Sequence, residues 1–156
     1  MSELIAVIGP PGTGKSSSIR TLDPQETFII NVAKKPLPIK GYKKNYHSFT
    51  VDKEKGNLLN TSKSGNIVQV LKYIDQKRPD IKQVILDDAG YVMAFSNMDK
   101  INDKGYGRFT EMASEFYNIL STASDLREDL KIFVFGHEEN VGDVLNPQRK
   151  FKTIGK

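Results

Sequence analysis

Gly9-Pro10-Pro11-Gly12-Thr13-Gly14-Lys15-Ser16 is an unbroken G-x-x-x-x-G-K-S/T segment, and the apolar run Leu4-Ile5-Ala6-Val7-Ile8 leads straight into it. A strand, a glycine-rich turn and a helix in that order make a phosphate-binding loop. Its successive backbone N–H groups point inward at a β-phosphate, and the helix adds the positive end of its dipole. Lys15 is placed to reach the β- and γ-phosphates and the Ser16 hydroxyl to ligand Mg2+. The expected nucleotide contacts are Gly9, Pro10, Pro11, Gly12, Thr13, Gly14, Lys15, Ser16 and Ser17.

Binding a phosphate is not hydrolysis, which needs further groups. Val84-Ile85-Leu86-Asp87-Asp88 is an apolar strand ending in two carboxylates, the Walker B pattern. Asp87 at its C-terminal end is expected to hold Mg2+ opposite Ser16, directly or through a water. Asp88 is then placed to orient and deprotonate an attacking water. Glutamate is the usual base there and aspartate is one methylene shorter, so Glu138 and Glu139 stand as alternatives. The next apolar strand, Lys131 to Phe135, runs into Gly136-His137. With that strand between the loop strand and the Asp87 strand, His137 sits beside the γ-phosphate and can sense its presence. Arg108, Arg127 and Arg149 are candidates for an arginine finger reaching a neighbouring subunit.

Around these motifs, strands and helices alternate. Leu4–Ile8 and Thr27–Val32 read as strands, with a loop helix from about Lys15 to Leu22 that Asp23-Pro24 ends. Lys34–Asn45 reads as irregular loop, Tyr46–Val51 as a short edge strand and Asp52–Ser64 as a polar excursion. Ile67, Val70, Leu71 and Ile74 recur at helical spacing, as do Phe109, Met112, Ala113, Phe116, Ile119, Leu120 and Ala123 within a helix over about Gly107–Leu126. The tail from Gly142 has no periodicity. Apolar strands alternating with helices predict an α/β protein whose mainly parallel, doubly wound sheet is the middle of three layers.

The 156 residues suit one domain, 1–156. No cysteine is present, which excludes disulfides and zinc thiolates, and no apolar run is long enough to span a membrane. The net charge is +4, with Lys34, Lys35, Lys40, Lys43 and Lys44 in one segment and Arg149, Lys150, Lys152 and Lys156 in another. Such segments beside a nucleotide site suit phosphate-rich partners, and Tyr42 and Tyr46 are placed to stack on bases; a solvated loop and a frayed tail read equally well.

The loop, the Asp-Asp strand and the Gly-His-Glu strand, in this order, resemble a RecA-type P-loop ATPase. More narrowly, the chain is similar to small bacteriophage ATPases of the RecA-like, single-strand-annealing kind. That likeness adds Arg78-Pro79-Asp80-Ile81-Lys82, Phe109-Thr110-Glu111, Asp125-Leu126-Arg127-Glu128-Asp129-Leu130 and Phe151-Lys152-Thr153-Ile154-Gly155-Lys156. The resemblance implies a RecA-like P-loop NTPase core that binds ATP and Mg2+ and hydrolyses ATP weakly as a lone subunit. It further implies a homo-oligomer with ATP at subunit interfaces, action on single-stranded DNA in phage recombination or replication, and residence in the host cytoplasm. In such proteins Thr153-Ile154-Gly155-Lys156 leads into a further strand flanking the loop strand. Here the sequence stops at Lys156, so either the chain is truncated or that flank is missing; if truncated, one side of the loop strand is expected to be an exposed edge. Two other functions share the motif: an ATP-switched binding module without efficient hydrolysis, and a small-molecule or nucleotide kinase. The arginine-rich lid usual in such kinases does not follow the Gly136-His137 strand.

Overall fold

The β-branched and aromatic runs become one five-stranded sheet: β1 (Glu3–Ile8), β2 (Thr27–Asn31), β3 (Leu58–Asn60), β4 (Gln83–Asp87) and β5 (Lys131–Gly136). Every neighbouring pair is parallel and the order is β1-β5-β4-β2-β3. The computed structural model describes residues 1–10, 14–50, 55–102, 107–140 and 149–151, with the backbone alone at 138–140 and 149–151.

Strand pleating divides the core into two. On one face Phe28, Ile30, Val84, Leu86, Ile132 and Val134 pack against α1 (Ser64–Lys77) and α3 (Gly107–Ser124). The buried stripe of α1, Ile67, Val70, Leu71 and Ile74, follows helical spacing, and the helix stops just before Pro79. On the other face Ile29, Ile85 and Phe135 meet Ile19, Leu37 and Tyr46. The result is the expected three-layer α/β architecture around a parallel sheet, with β5 between the loop strand and the Asp87 strand. β2 is buried throughout, whereas β1 leaves Leu4 and Ile8 exposed because only β5 flanks it among the described residues.

Several local expectations are corrected. The helix after the loop is a six-residue 3₁₀ helix, Ser16–Thr21. Ser18 and Thr21 there donate their hydroxyls to the carbonyls of Lys15 and Ser18, the local bonding by which Ser and Thr compete with α-helix. The segment read as polar excursion contains β3, seated against β2. Asn57 fixes its start: the buried side chain donates to Pro24 O and Asn45 O and accepts from His47 N at 2.7–3.0 Å. Among the described residues of the expected 46–51 strand, Ser48 and Thr50 make isolated bridges and no continuous strand forms. A further helix, α2 (Tyr91–Asp99), follows β4 directly, and β6 (Glu138–Asn140) pairs antiparallel with β7 (Arg149–Phe151), which lies in the tail read as having no periodicity. No described helix is long and apolar enough to cross a membrane.

Candidate nucleotide-binding site

The C-terminal ends of parallel strands are where such sheets bind ligands, since loops there leave backbone and side chains facing one crevice. Here β1 ends at the glycine-rich loop, β4 at Asp87-Asp88 and β5 at His137. They surround a cleft of about 420 Å³ lined by Gly14 to Ser17, by Asp88 and His137, and by Lys35, Pro38 and Tyr91. Gly14 has φ +87°, a left-handed conformation that glycine adopts without steric cost.

Ser16 Oγ donates to Asp87 Oδ1 at 2.7 Å, joining the two motifs across 71 residues of sequence. Lys15 Nζ donates to Gly9 O at 2.7 Å and Pro10 O at 3.0 Å, so its ammonium lies over the loop's own carbonyls. Asp87 is 3% exposed. Burial pushes its carboxyl up to about 6; the Ser16 hydrogen bond and Lys15 oppose the rise and the Asp88 carboxylate adds to it. A buried carboxylate beside a hydroxyl is an all-oxygen donor pair with excess negative charge, which suits a hard divalent cation such as Mg2+. Among the described residues no group of three or more His, Cys, Asp or Glu side chains forms a metal cluster.

Asp88 has φ 54°. That left-handed conformation, uncommon away from glycine, turns the chain out of β4 into α2, with Ala89 N donating to Phe135 O at 2.9 Å and Tyr91 N to Asp88 O at 3.0 Å. It brings Asp88 Oδ1 to 3.7 Å from His137 Nε2, so the two expected catalytic side chains meet at the cleft. His137 Nδ1 is buried without a hydrogen-bond partner among the described residues.

Other candidates lie elsewhere. Arg127 is engaged within its own chain: its guanidinium donates to the carbonyls of Ile74, Asp75, Arg78 and Ile81, closing the C-terminal end of α1. Arg108 donates to Ile101 O and lies 4.8 Å from the Phe109 ring centroid, and it does not line the cleft. Tyr46 is 4% exposed inside the second core, which removes it as a base-stacking surface, and Tyr42 packs against the same cluster. Glu138, Glu139, Arg149 and Lys150 are described by backbone alone; Pro11, Gly12, Thr13, Lys152, Thr153, Ile154, Gly155 and Lys156 fall outside the described residues. Lys35, Pro38 and Tyr91 also line the cleft; Lys35 belongs to a basic segment that in sequence suits a phosphate-rich partner, and the sequence assigns Pro38 and Tyr91 no role.

No protein-family model and no curated protein matches the sequence. Among solved structures, the fold is similar to the monomer form of the pCW3 conjugation coupling protein TcpA with ATPγS, at a TM-score of 0.47 and 14% identity over 86% of this chain and 42% of that one. The chain thus spans less than half the length of that protein, and the likeness bears on neither substrate nor partner.

Proposed function

We propose that this chain binds a nucleoside triphosphate, ATP, together with Mg2+ at the loop, and hydrolyses it. The observation that carries this is the 2.7 Å hydrogen bond from Ser16 to the buried Asp87, which joins the glycine-rich loop to the acidic strand end. Ser16 and Asp87 would hold the cation, which when bound offsets charge on the phosphate oxygens. Lys15, released from the carbonyls of Gly9 and Pro10, pairs with the phosphates, since charge-assisted bonds outweigh those to neutral carbonyls. Asp88 orients a water and accepts its proton as the water oxygen bonds to the γ-phosphorus and the bond to the β-phosphate oxygen breaks, giving ADP and phosphate. His137 holds the Asp88 carboxylate on the γ-phosphate side.

The resemblance to single-strand-annealing phage ATPases extends the proposal to a homo-oligomer acting on single-stranded DNA, with Lys34, Lys40, Lys43 and Lys44, all exposed, as phosphate contacts. The test is steady-state ATP hydrolysis by wild type and Lys15→Ala, with and without single-stranded DNA, across protein concentrations. DNA-stimulated, concentration-dependent turnover lost in the variant is the expected result. Turnover indifferent to DNA would refute the nucleic-acid part. Lys15-dependent binding with no turnover would make the chain an ATP-switched module.

A further inference from the structure

We infer that Lys35 is a second phosphate-contacting cation of the cleft, which reads the terminal phosphate of the bound triphosphate from within the same chain. This rests on the nucleotide-binding proposal and concerns a residue outside both phosphate motifs.

Among the described residues, Lys34 and Asp88 are the two non-glycine residues with positive φ, at 59° and 54°. They follow the ends of the adjacent strands β2 and β4, whose last residues Asn31 and Asp87 are register partners. Left-handed backbone at a side-chain-bearing residue is strained and persists where its surroundings enforce it, commonly at functional sites. At Asp88 the turn delivers a carboxylate to the cleft. At Lys34 it delivers the next residue, Lys35, to the same cleft. Asn31, buried at the end of β2, locks this turn by donating Nδ2 to Lys35 O at 2.6 Å.

The Lys35 ammonium is held on an aromatic platform built by the opposite strand end. Its Nζ lies 5.2 Å from the ring centroid of Tyr91 and 3.5 Å from that residue's hydroxyl, while Lys34 Nζ lies 5.7 Å from the Phe95 ring. Tyr91 opens α2, and its N–H donates to Asp88 O, so Lys35, Tyr91 and Asp88 form one connected group. An exposed cation–π contact is weak beside a charge-assisted bond to phosphate, so the ammonium can move from the ring to a ligand oxygen.

Charge balance asks for such a group. The site presents Lys15 against Asp87 and Asp88, and a magnesium-bound triphosphate adds further negative charge. Among the described residues lining the cleft, Lys35 is the cation besides Lys15, and no arginine is there.

The experiment is calorimetric binding of ADP and of ATPγS, each with Mg2+, and of a single-stranded oligonucleotide, to wild type, Lys35→Ala, Lys35→Arg, Lys72→Ala and Lys15→Ala. Lys35→Ala should keep ADP affinity and weaken ATPγS about tenfold or more, as the loss of one charged contact gives. Lys35→Arg should restore most of it, and Lys72→Ala, exposed on α1 and outside the cleft lining, should match wild type. An unchanged ATPγS-to-ADP affinity ratio in Lys35→Ala would overturn the inference, and so would an equal loss for both nucleotides. A loss confined to single-stranded DNA binding would assign the lysine to nucleic acid instead, also overturning it. If wild type binds neither nucleotide, or Lys15→Ala binds both as well as wild type, the nucleotide proposal itself fails.

Discussion

His137 Nε2 and Asp88 Oδ1 stand 3.7 Å apart, on segments that leave β5 and β4 separately and converge at the cleft. Each side chain limits where the other can go, so they are expected to act as a unit on the water. Asp88→Asn should lower kcat by about 10²–10⁴ with little change in KM, as removal of a general base does. His137→Ala should also lower kcat, and the double variant should lose less than the product of the two single losses. Single-turnover hydrolysis of the four proteins checks this; multiplicative losses would mean that the residues act independently.

Asp87 links pH to stability in the metal-free chain. Its carboxyl lies near 3.8 when unperturbed and is raised to about 6 in the folded state, so between these values the folded chain holds a proton that the unfolded chain has released. Stability from this group is present at low pH and lost as pH rises through about 6, in all roughly 3 kcal/mol. Asp87→Asn should therefore flatten the melting curve's dependence on pH over that window and raise Tm at pH 7. The same variant should lose the Mg2+ dependence of ATP binding. A wild type that gains stability between pH 4 and 7 relative to Asp87→Asn would contradict this.

Arg127 should prove structural. Arg127→Ala leaves four carbonyl partners without its guanidinium, and about 2–4 kcal/mol of stability should go with them. One partner, Ile81 O, precedes β4, which lies about 20 Å along the strand from Asp87 by the rise per residue. Turnover per folded molecule should thus stay within about twofold, below any effect expected of a finger. Urea melts and hydrolysis measured at a temperature where the variant is folded separate the two roles.

Gly56 cannot carry a side chain. Its φ is +106°, and an added Cβ would lie 2.6 Å from Ser48 O and 2.7 Å from Phe49 Cα, both backbone atoms. Gly56→Ala should cost about 2–4 kcal/mol by combining strain with a clash that the backbone must move to relieve. Gly14→Ala meets no atom within 4 Å at φ +87°, so it should cost stability less and nucleotide affinity more. Denaturation midpoints and ADP titrations of both variants give the comparison.

What could be read in advance was carried by patterns that encode themselves locally. Val84–Leu86 in β4 and Ile132–Phe135 in β5 are continuous apolar runs, and the stripe of α1 repeats at helical spacing. β3 has three residues, Leu58-Leu59-Asn60, and its place depends on Asn57 bonding to segments distant in sequence. α2 escaped because Tyr91-Val92-Met93-Ala94-Phe95 is apolar nearly all round, so periodicity offers no face to find. In the cleft, Lys15, Ser16, Asp87, Asp88 and His137 stand beside strand ends that the sequence announces. Lys35 reaches it through a left-handed turn at Lys34, and nothing in a lysine-rich loop marks which residue will make that turn.

The open edge of β1 has a thermodynamic meaning. The phosphate loop hangs from a strand with a single neighbour among the described residues, beside Leu4 and Ile8 left in water, while β2, between β4 and β3, is sealed. Amide protons of β1 should therefore exchange with solvent through local opening well before those of β2 or β4, which wait for global unfolding. A ligand gripping Gly9 to Ser17 and Asp87 together bridges both regimes. Its binding free energy would go first into closing that gradient, so that occupancy slows exchange along β1 and brings its protection toward that of the core.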